Sequence, residues 1–191
     1  MTGENKHLLE GAEVLLCVTG GIACYKSADL VSKLTQAGAG VSVAMSDAAE
    51  RFITPLTFQT LTGRDVFKSL WQAGENYRPQ HLSLTEKADL MIVAPATADI
   101  IAKMAVGIAD DLVSALALSA WGGCEILIAP AMNTRMFQAP PTQDNIQKLQ
   151  ARGVHVVGPK EGRLACGTVG IGRMAEPDEI LAAVEKLLHK P

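Results

Sequence analysis

The sequence contains few aromatic residues, few charges and no long apolar segment. Aromatic residues make up 4% of its 191 residues, so the core must be aliphatic, which suits helices packed on a parallel sheet. Charged residues make up 19% and the net charge is -3, which gives no electrostatic reason to expect nucleic acid or anionic lipid as a partner. No apolar run approaches the roughly 18 residues that cross a bilayer. We therefore expect no nucleic-acid partner and no membrane partner.

Cysteine is also scarce. The four cysteines, Cys17, Cys24, Cys124 and Cys166, never occur at C-x-x-C spacing, which argues against a zinc site or a disulfide framework. The first ten residues are polar and contain no apolar stretch of the kind found in signal peptides. We expect a reduced, cytoplasmic protein without a metal. Residues 1–191 should form one domain, with residues 1–12 as a polar extension.

Short aliphatic runs alternate with helical stretches along the chain. The runs predict strands at residues 14–19, 41–45, 90–94, 126–129 and 154–157. Helices are predicted at about residues 23–37, 55–61, 98–105, 110–121, 142–152 and 177–189. Near-continuous aliphatic strands are buried on both faces, and their alternation with helices indicates right-handed crossovers. The predicted fold is an α/β, doubly wound (Rossmann-like) parallel sheet with three layers.

Ligands of such sheets lie beyond the carboxyl ends of the strands. After the first strand, Gly20 and Gly21 lead directly into a helix, where backbone N–H groups can receive a phosphate. The alternative is a tight turn without a ligand. After the second strand, Ser46 either caps a helix or donates to a ligand, and Phe52 follows nearby.

The third and fourth strand ends carry small and polar residues. Thr97 is an evident helix cap and Asp99 suits a first helical turn, but the small residues of segment 94–98 also suit a flat ring lying against the loop. Asn133 follows the fourth strand, where it either holds a turn or contacts a ligand. Asp110 and Asp111 are interpreted as first-turn helix carboxylates rather than as a catalytic pair.

Two further features are candidates for chemistry. His81 lies in a polar loop and short helix before the third strand, where it could act as a base, although a lone loop histidine is more often not catalytic. The segment 160–174, KEGRLACGTVGIGRM, surrounds Cys166 with glycines and basic residues. This composition predicts a mobile loop over a site, and the alternative is a glycine-rich loop without function.

Four motifs together resemble a known family. They are TGGIA at 19–23, APATAD at 94–99, PAMNTRM at 130–136, and ACG at 165–167 with GIGRM at 170–174. In this order, at matching strand ends, they resemble the homo-oligomeric flavin-containing cysteine decarboxylases, and among these the phosphopantothenoylcysteine decarboxylases of coenzyme A biosynthesis. The resemblance covers nearly the whole chain.

The resemblance implies bound FMN and a reaction on 4'-phospho-N-pantothenoyl-L-cysteine. It implies cofactor contacts from Gly20, Gly21, Ile22, Ser46, Phe52, Thr97, Ala98, Asp99 and Ala131. Oxidation of the cysteine unit to a thioaldehyde would precede loss of carbon dioxide to an enethiolate, which is then reduced to 4'-phosphopantetheine. By the same resemblance His81 is the base of the oxidation, Asn133 holds the substrate carboxylate, Met136 lines the substrate pocket and Cys166 is the acid of the reduction.

The family also implies a homotrimer or a dodecamer built from trimers, with sites between subunits. Many bacterial homologues carry a phosphopantothenate–cysteine ligase behind this domain, and the length of the chain predicts that no ligase domain is present. Phe137 and Cys24 depart from the residues usual in the family, without removing a reacting group. A peptidyl-cysteine decarboxylase, a flavin prenyltransferase and a non-catalytic flavin-binding regulatory subunit remain as alternatives. Candidates for binding the substrate phosphate are Lys160, Arg163 and Arg173.

Overall fold

The molecule is built around a parallel β-sheet. The structure, a computed structural model, describes residues 8–71, 80–165 and 167–189, without the side chains of residues 80 and 81. Its strands are β1 (Glu13–Val18), β2 (Gly40–Met45), β3 (Val66–Phe67), β4 (Leu90–Ala96), β5 (Glu125–Pro130), β6 (His155–Val156), β7 (Lys160–Arg163) and β8 (Val169–Arg173). Six of these form a sheet in the order β3-β2-β1-β4-β5-β6, and every pairing within it is parallel. The predicted doubly wound fold is confirmed.

Helices cover both faces of this sheet. They are α1 (Cys24–Gln36), α2 (Asp47–Glu50), α3 (Pro55–Thr62), α4 (Gln80–Lys87), α5 (Ala98–Val106), α6 (Leu112–Ser119), α7 (Thr134–Gln138), α8 (Pro140–Ala151) and α9 (Pro177–Leu188). The core on one face joins the sheet to α1, α3 and α9, and the core on the other joins it to α5, α6 and α8. The three layers are therefore helix, sheet and helix. None of the helices in the described ranges combines the length and apolarity that a bilayer crossing requires.

The central strand shows how the sequence produces two cores. In β1 every residue after Glu13 is buried, because helices lie on both sides. Successive side chains of a strand point to opposite faces. Accordingly Leu16 and Val18 join the core beside α1, whereas Leu15 and Cys17 join the core beside α5. A continuous aliphatic strand is what a sheet covered on both faces requires.

The glycine-rich segment differs from its prediction as a mobile loop. Its two halves pair as an antiparallel hairpin, β7 with β8, separate from the main sheet. The pairing places Gly162 opposite Gly170, so few side chains contribute to it and backbone hydrogen bonds hold the hairpin. These two strands contain few apolar residues, which explains why the sequence pattern did not predict them.

The order of the strands creates a crevice at one end of the sheet. From β1 the chain winds outward through β2 and β3, and from β4 it winds in the opposite direction through β5 and β6. The loops after β1 and β4 therefore separate onto opposite faces. A crevice outside the carboxyl ends of adjacent strands at such a switch point is the usual ligand position in open α/β sheets.

Candidate active site

A cavity of about 1110 Å³ occupies this crevice. Its lining residues lie in the stretches 19–26, 46–48, 97–113, 131–136, and 163–174 without position 166. The first four stretches directly follow β1, β2, β4 and β5, and the fifth is the hairpin. The carboxyl ends of four parallel strands thus converge on one space, which the hairpin borders on a further side.

Gly20 and Gly21 form the wall at the start of α1, and they differ in their surroundings. A Cβ atom on Gly20 would overlap Cβ of Ala48 and stand 2.9 Å from its carbonyl carbon, so Gly20 is required by packing against α2. A Cβ atom on Gly21 would meet nothing within 4 Å. Both residues line the cavity. The chain itself therefore gives no steric reason for glycine at position 21, whereas a ligand lying against the loop would.

Helices α1 and α5 both begin at the cavity wall. Helix α1 follows the glycine pair, and helix α5 begins at Ala98, itself a lining residue. The first N–H groups of a helix have no acceptors within the helix and carry partial positive charge. The wall is therefore suited to an anionic group such as a phosphate.

Buried hydroxyl groups join the ends of β1 and β4. The Thr19 hydroxyl donates to the carbonyl oxygen of Pro95 at 2.5 Å and accepts from the Thr97 N–H at 3.4 Å. The Ser27 hydroxyl donates to the carbonyl oxygen of Ala94 at 2.7 Å. Because these side chains are nearly fully buried, the bonds are protected from competition by water. They fix the floor of the crevice at its switch point.

Three predicted site residues cap the helices that border the cavity. The side-chain oxygen of Ser46 accepts from the N–H of Ala49, and that of Thr97 accepts from the N–H of Ile100, each at 3.3 Å. Asn133 Oδ1 accepts from the N–H of Arg135 at 2.9 Å. Capping and lining are therefore not alternatives here, because all three residues also face the cavity. Capping fixes the orientation of each polar group toward the space.

Phe52 is placed differently from the other predicted cofactor residues. It is 53% exposed and follows α2, and it is absent from the described residues that line the cavity. The other eight predicted cofactor residues all line it. Within this chain, Phe52 therefore stands apart from the crevice.

A charged cluster at the cavity was missed by the sequence interpretation. Lys103 Nζ lies 2.9 Å from Asp111 Oδ2, 3.0 Å from Asp110 Oδ1 and 3.3 Å from Asp99 Oδ2. The hydrogen bond to Asp111 is the main cause that raises the pKa of Lys103, so the ammonium group stays charged. The i,i+4 spacing of Asp99 and Lys103 was the available signal.

The position predicted for the two adjacent aspartates was wrong. Asp111 is the N-cap of α6, forming a capping box with Ser114, and Asp110 directly precedes this cap. Both precede the first turn because Asp111 satisfies the N–H of Ser114 at 2.9 Å.

Among the described residues, no three His, Cys, Asp or Glu side chains form a group that could hold a metal ion.

The hairpin packs against the loop that follows β5. The N–H of Met132 donates to the carbonyl oxygen of Gly172 at 2.9 Å. Gly172 has φ +144°, and a Cβ atom there would overlap the carbonyl oxygen of Met132. Only glycine permits this close approach. The contact places Arg163 and Arg173 at the cavity, whereas Lys160 pairs with Glu179 at 2.5 Å and does not line it.

Of the three predicted catalytic residues, one is described with its side chain. Asn133 lines the cavity, as does the predicted substrate residue Met136. His81 lies in α4, and its side chain is outside the described part of the structure. Cys166 also lies outside the described residues, although its neighbours Ala165 and Gly167 line the cavity.

The described residues fit a cofactor that combines a flat ring with a phosphate. Open space beside Gly21 and the N-terminal turns of α1 and α5 suit the phosphate. Small side chains at Ala98 and Ala131 leave room for a ring system. The fit rests on the space that the chain leaves beside these residues.

Comparison with known proteins extends the similarity over almost the whole chain. A family model described as Flavoprotein matches residues 2–189. The Coenzyme A biosynthesis bifunctional protein CoaBC of Vibrio vulnificus (strain YJ016) is 45% identical over 181 residues, which cover 95% of this chain and 45% of that protein. The chain therefore spans a little less than half the length of this curated relative.

Solved structures show the same architecture. A PPC decarboxylase mutant complexed with pantothenoylaminoethenethiol matches with a TM-score of 0.85 and 27% identity, covering 94% of this chain and 99% of that chain. The FMN-dependent cysteine decarboxylase SpaF matches with a TM-score of 0.81 and 27% identity, covering 94% and 97%.

Proposed function

Because the chain belongs to the flavoprotein family, we propose that it binds FMN and decarboxylates 4'-phospho-N-pantothenoyl-L-cysteine to 4'-phosphopantetheine in coenzyme A biosynthesis. The observation that carries the proposal is the cavity at the switch point, which brings the glycine pair, the start of α5 and the loop of Asn133 to one space. The names of the matching relatives, a coenzyme A biosynthesis protein, a PPC decarboxylase and an FMN-dependent cysteine decarboxylase, support it.

In this proposal the cofactor lies against the walls described above. Gly20, Gly21 and Ile22 would hold the phosphate at the start of α1, and further contacts come from Ser46, Thr97, Ala98, Asp99 and Ala131. FMN, when bound, supplies a reversible two-electron acceptor, which a redox-neutral decarboxylation through an oxidised intermediate requires. A contact from Phe52 has no support from the cavity lining.

Asn133 is proposed to hold the substrate carboxylate. Its Oδ1 is fixed by the N–H of Arg135, so the donor end of the amide has a defined direction at the cavity. Met136, half exposed on α7, would line the pocket beside it. Arg163 and Arg173 are the cations of the hairpin that face the cavity, and guanidinium groups suit the substrate phosphate.

The substrate chemistry assigns protons to two further residues. The cysteine unit loses two electrons and two protons to give a thioaldehyde, and His81 would accept the proton of the thiol. The bond to the carboxylate then breaks, and its electron pair moves toward sulfur, which gives an enethiolate and carbon dioxide. Return of the two electrons with protons saturates the carbon–carbon double bond, and Cys166 would supply a proton there. Overall, one proton replaces the carboxylate as it leaves as carbon dioxide.

The proposal includes assembly of copies of this chain, as a trimer or as a dodecamer built from trimers. Ile22, Tyr25 and Met136 support it, because they line the cavity yet are 60%, 63% and 50% exposed in the single chain. A cytoplasmic setting is also proposed. Its support is that Cys17, Cys24 and Cys124 are free thiols in the described structure.

The test is a turnover assay with purified protein. Flavin should copurify with the protein and give its visible absorption band. The phosphorylated pantothenoylcysteine should yield equal amounts of carbon dioxide and 4'-phosphopantetheine. A peptide ending in cysteine is the competing substrate, and turnover of the peptide alone would show a peptidyl-cysteine decarboxylase instead. A protein that carries flavin and decarboxylates neither compound would support a non-catalytic flavin-binding role.

Three variants test the residue roles. In a single turnover without oxygen, Cys166→Ala should release carbon dioxide, accumulate the enethiol and leave an equal amount of flavin reduced, and a normal yield of 4'-phosphopantetheine would remove Cys166 from the mechanism. His81→Asn should keep its flavin and lose decarboxylation. Asn133→Asp should also keep the flavin and lose decarboxylation, because aspartate still caps α7 but repels a carboxylate. Unchanged turnover in either variant would refute that residue's role.

A further inference from the structure

Lys26 is a nearly buried lysine on the cavity wall. It lies in the first turn of α1, is 5% exposed and lines the cavity. Its Nζ donates to the carbonyl oxygen of Met174 at 2.9 Å and to Glu176 Oε1 at 3.0 Å. A lysine is rarely buried unless its charge is paired. The position of Lys26 therefore depends on these two partners.

Both partners belong to the segment that leaves the hairpin. Met174 directly follows β8, and Glu176 caps α9. Glu176 also accepts from the side chain of Arg173, the last residue of β8. The hydrogen bond from Lys26 is the main cause that lowers the pKa of Glu176. One carboxylate thus connects the first turn of α1 with the base of the hairpin.

We infer that Lys26 is a positioning residue that fixes the base of the hairpin to the phosphate-binding end of α1. It acts through Glu176 and the Met174 carbonyl group. This inference rests on the proposed function, because it assigns Lys26 the task of holding the hairpin residues in register with the cofactor and substrate. The hairpin carries position 166 between its strands, so a loosened base should affect the reduction step more than the decarboxylation.

The structure offers a matched control on the same two helices. Lys33, two turns farther along α1, pairs with Asp178 of α9 at 2.7 Å. That pair also joins α1 to α9, but it contacts neither the hairpin segment nor the cavity lining. Lys33→Met therefore removes a lysine and an ion pair of the same helices without touching the inferred anchor.

The rate of tryptic cleavage in the hairpin, measured on the full chain with FMN, tests whether Lys26 anchors the hairpin. Lys160, Arg163 and Arg173 lie in the paired strands of the hairpin, so we expect trypsin to cleave after them when the hairpin opens locally. Cleavage tracks the population of the open form, so Lys26→Met should accelerate it by about tenfold. Lys33→Met should remain close to wild type. Equal cleavage in wild type and Lys26→Met, or equal acceleration in both variants, would overturn the inference.

A second variant guards against a general loss of folding. Glu176→Gln removes the charge of the shared carboxylate while leaving Lys26 in place, and it should accelerate cleavage like Lys26→Met. In the double variant the effects should add only in part, because both substitutions break the same Lys26–Glu176 bond, whereas the bond from Lys26 to the Met174 carbonyl group is lost only with Lys26→Met. Fully additive effects would show that Lys26 and Glu176 act separately and would overturn the inference.

The positioning role is read from the products. In a single turnover without oxygen, wild type should form carbon dioxide and 4'-phosphopantetheine in equal amounts. Lys26→Met should release several-fold more carbon dioxide than 4'-phosphopantetheine, and the difference should be matched by enethiol and by flavin left reduced. A general structural loss would lower both together and leave the ratio unchanged, and that result would overturn the positioning role. If wild type releases no carbon dioxide, the proposed function fails, while the proteolysis comparison still decides whether Lys26 anchors the hairpin.

Discussion

Gly20 and Gly21 are adjacent, yet a methyl group added at each should affect the flavin-free protein in opposite directions. At Gly20 the new Cβ atom overlaps Ala48 of α2, and the nearest atoms include backbone. Overpacking of this kind costs about 1–3 kcal/mol. In a chain of this size it should lower the Tm of Gly20→Ala by on the order of 5 °C.

At Gly21 the added Cβ atom meets nothing within 4 Å, and the residue is not among the glycines with positive φ. Gly21→Ala should therefore leave stability unchanged or raise it by about 0.4–1 kcal/mol, since alanine restricts the unfolded chain. Its cost should appear on binding. If the FMN phosphate lies against Gly21, a methyl group that displaces it should weaken binding by about 2 kcal/mol, or roughly 30-fold.

Two measurements separate these effects. Urea unfolding of the flavin-free variants gives the free energy of unfolding, and calorimetric titration gives the Kd of FMN. Riboflavin, which lacks the phosphate, is the control ligand, and its affinity should fall much less in Gly21→Ala. Wild-type FMN affinity in Gly21→Ala would refute the phosphate position, and wild-type stability in Gly20→Ala would refute the packing argument.

Two further predictions concern the hairpin and the response to acid. Gly172→Ala places a Cβ atom on the Met132 carbonyl oxygen, so it should increase tryptic cleavage of the hairpin, and unchanged cleavage would contradict the close contact described. The pKa of Glu13 is lowered chiefly by its hydrogen bond from Arg64. The pair therefore stabilises the folded state at pH values above the pKa that Glu13 has in the unfolded chain. This stabilisation is lost as the pH falls through the pKa of Glu13 in the folded state. Between about pH 6 and about pH 3, urea unfolding should show wild type losing more stability than Glu13→Gln, and equal losses would remove the pair from the acid response.

The sequence predicted the central sheet well because burial on both faces leaves a strong pattern. All seven residues of β4 are buried, and a run of this kind has few alternatives to a parallel strand. Of the two edge strands, β6 lies within the strand predicted at residues 154–157, whereas β3 was not predicted, because its two residues are too few to show periodicity. The hairpin was missed because its strands pair mainly through backbone and contain glycines where a strand usually carries apolar side chains.

Site residues that directly follow a strand could be predicted from the sequence, whereas residues whose role depends on tertiary contacts could not. Gly21, Thr97 and Asn133 could be placed because the ends of parallel strands share one edge. Lys26 gave no signal, since its partners lie 148 and 150 positions away. The interpretation of Asp110 and Asp111 rejected a catalytic pair. It did not predict that both carboxylates form ion pairs with Lys103, because these pairs depend on how the chain turns between α5 and α6.

The residues that line the cavity come from distant parts of the chain, so ligand binding there is coupled to unfolding of the whole fold. These residues extend from Thr19 to Met174, so no short fragment of the chain contains the whole site, and unfolding of the sheet must release whatever is bound. A ligand that binds only the folded state at a concentration 100 times its Kd adds about 2.7 kcal/mol to the free energy of unfolding. If the chain binds FMN as proposed, the cellular supply of FMN would then set how much of the chain survives unfolding and degradation.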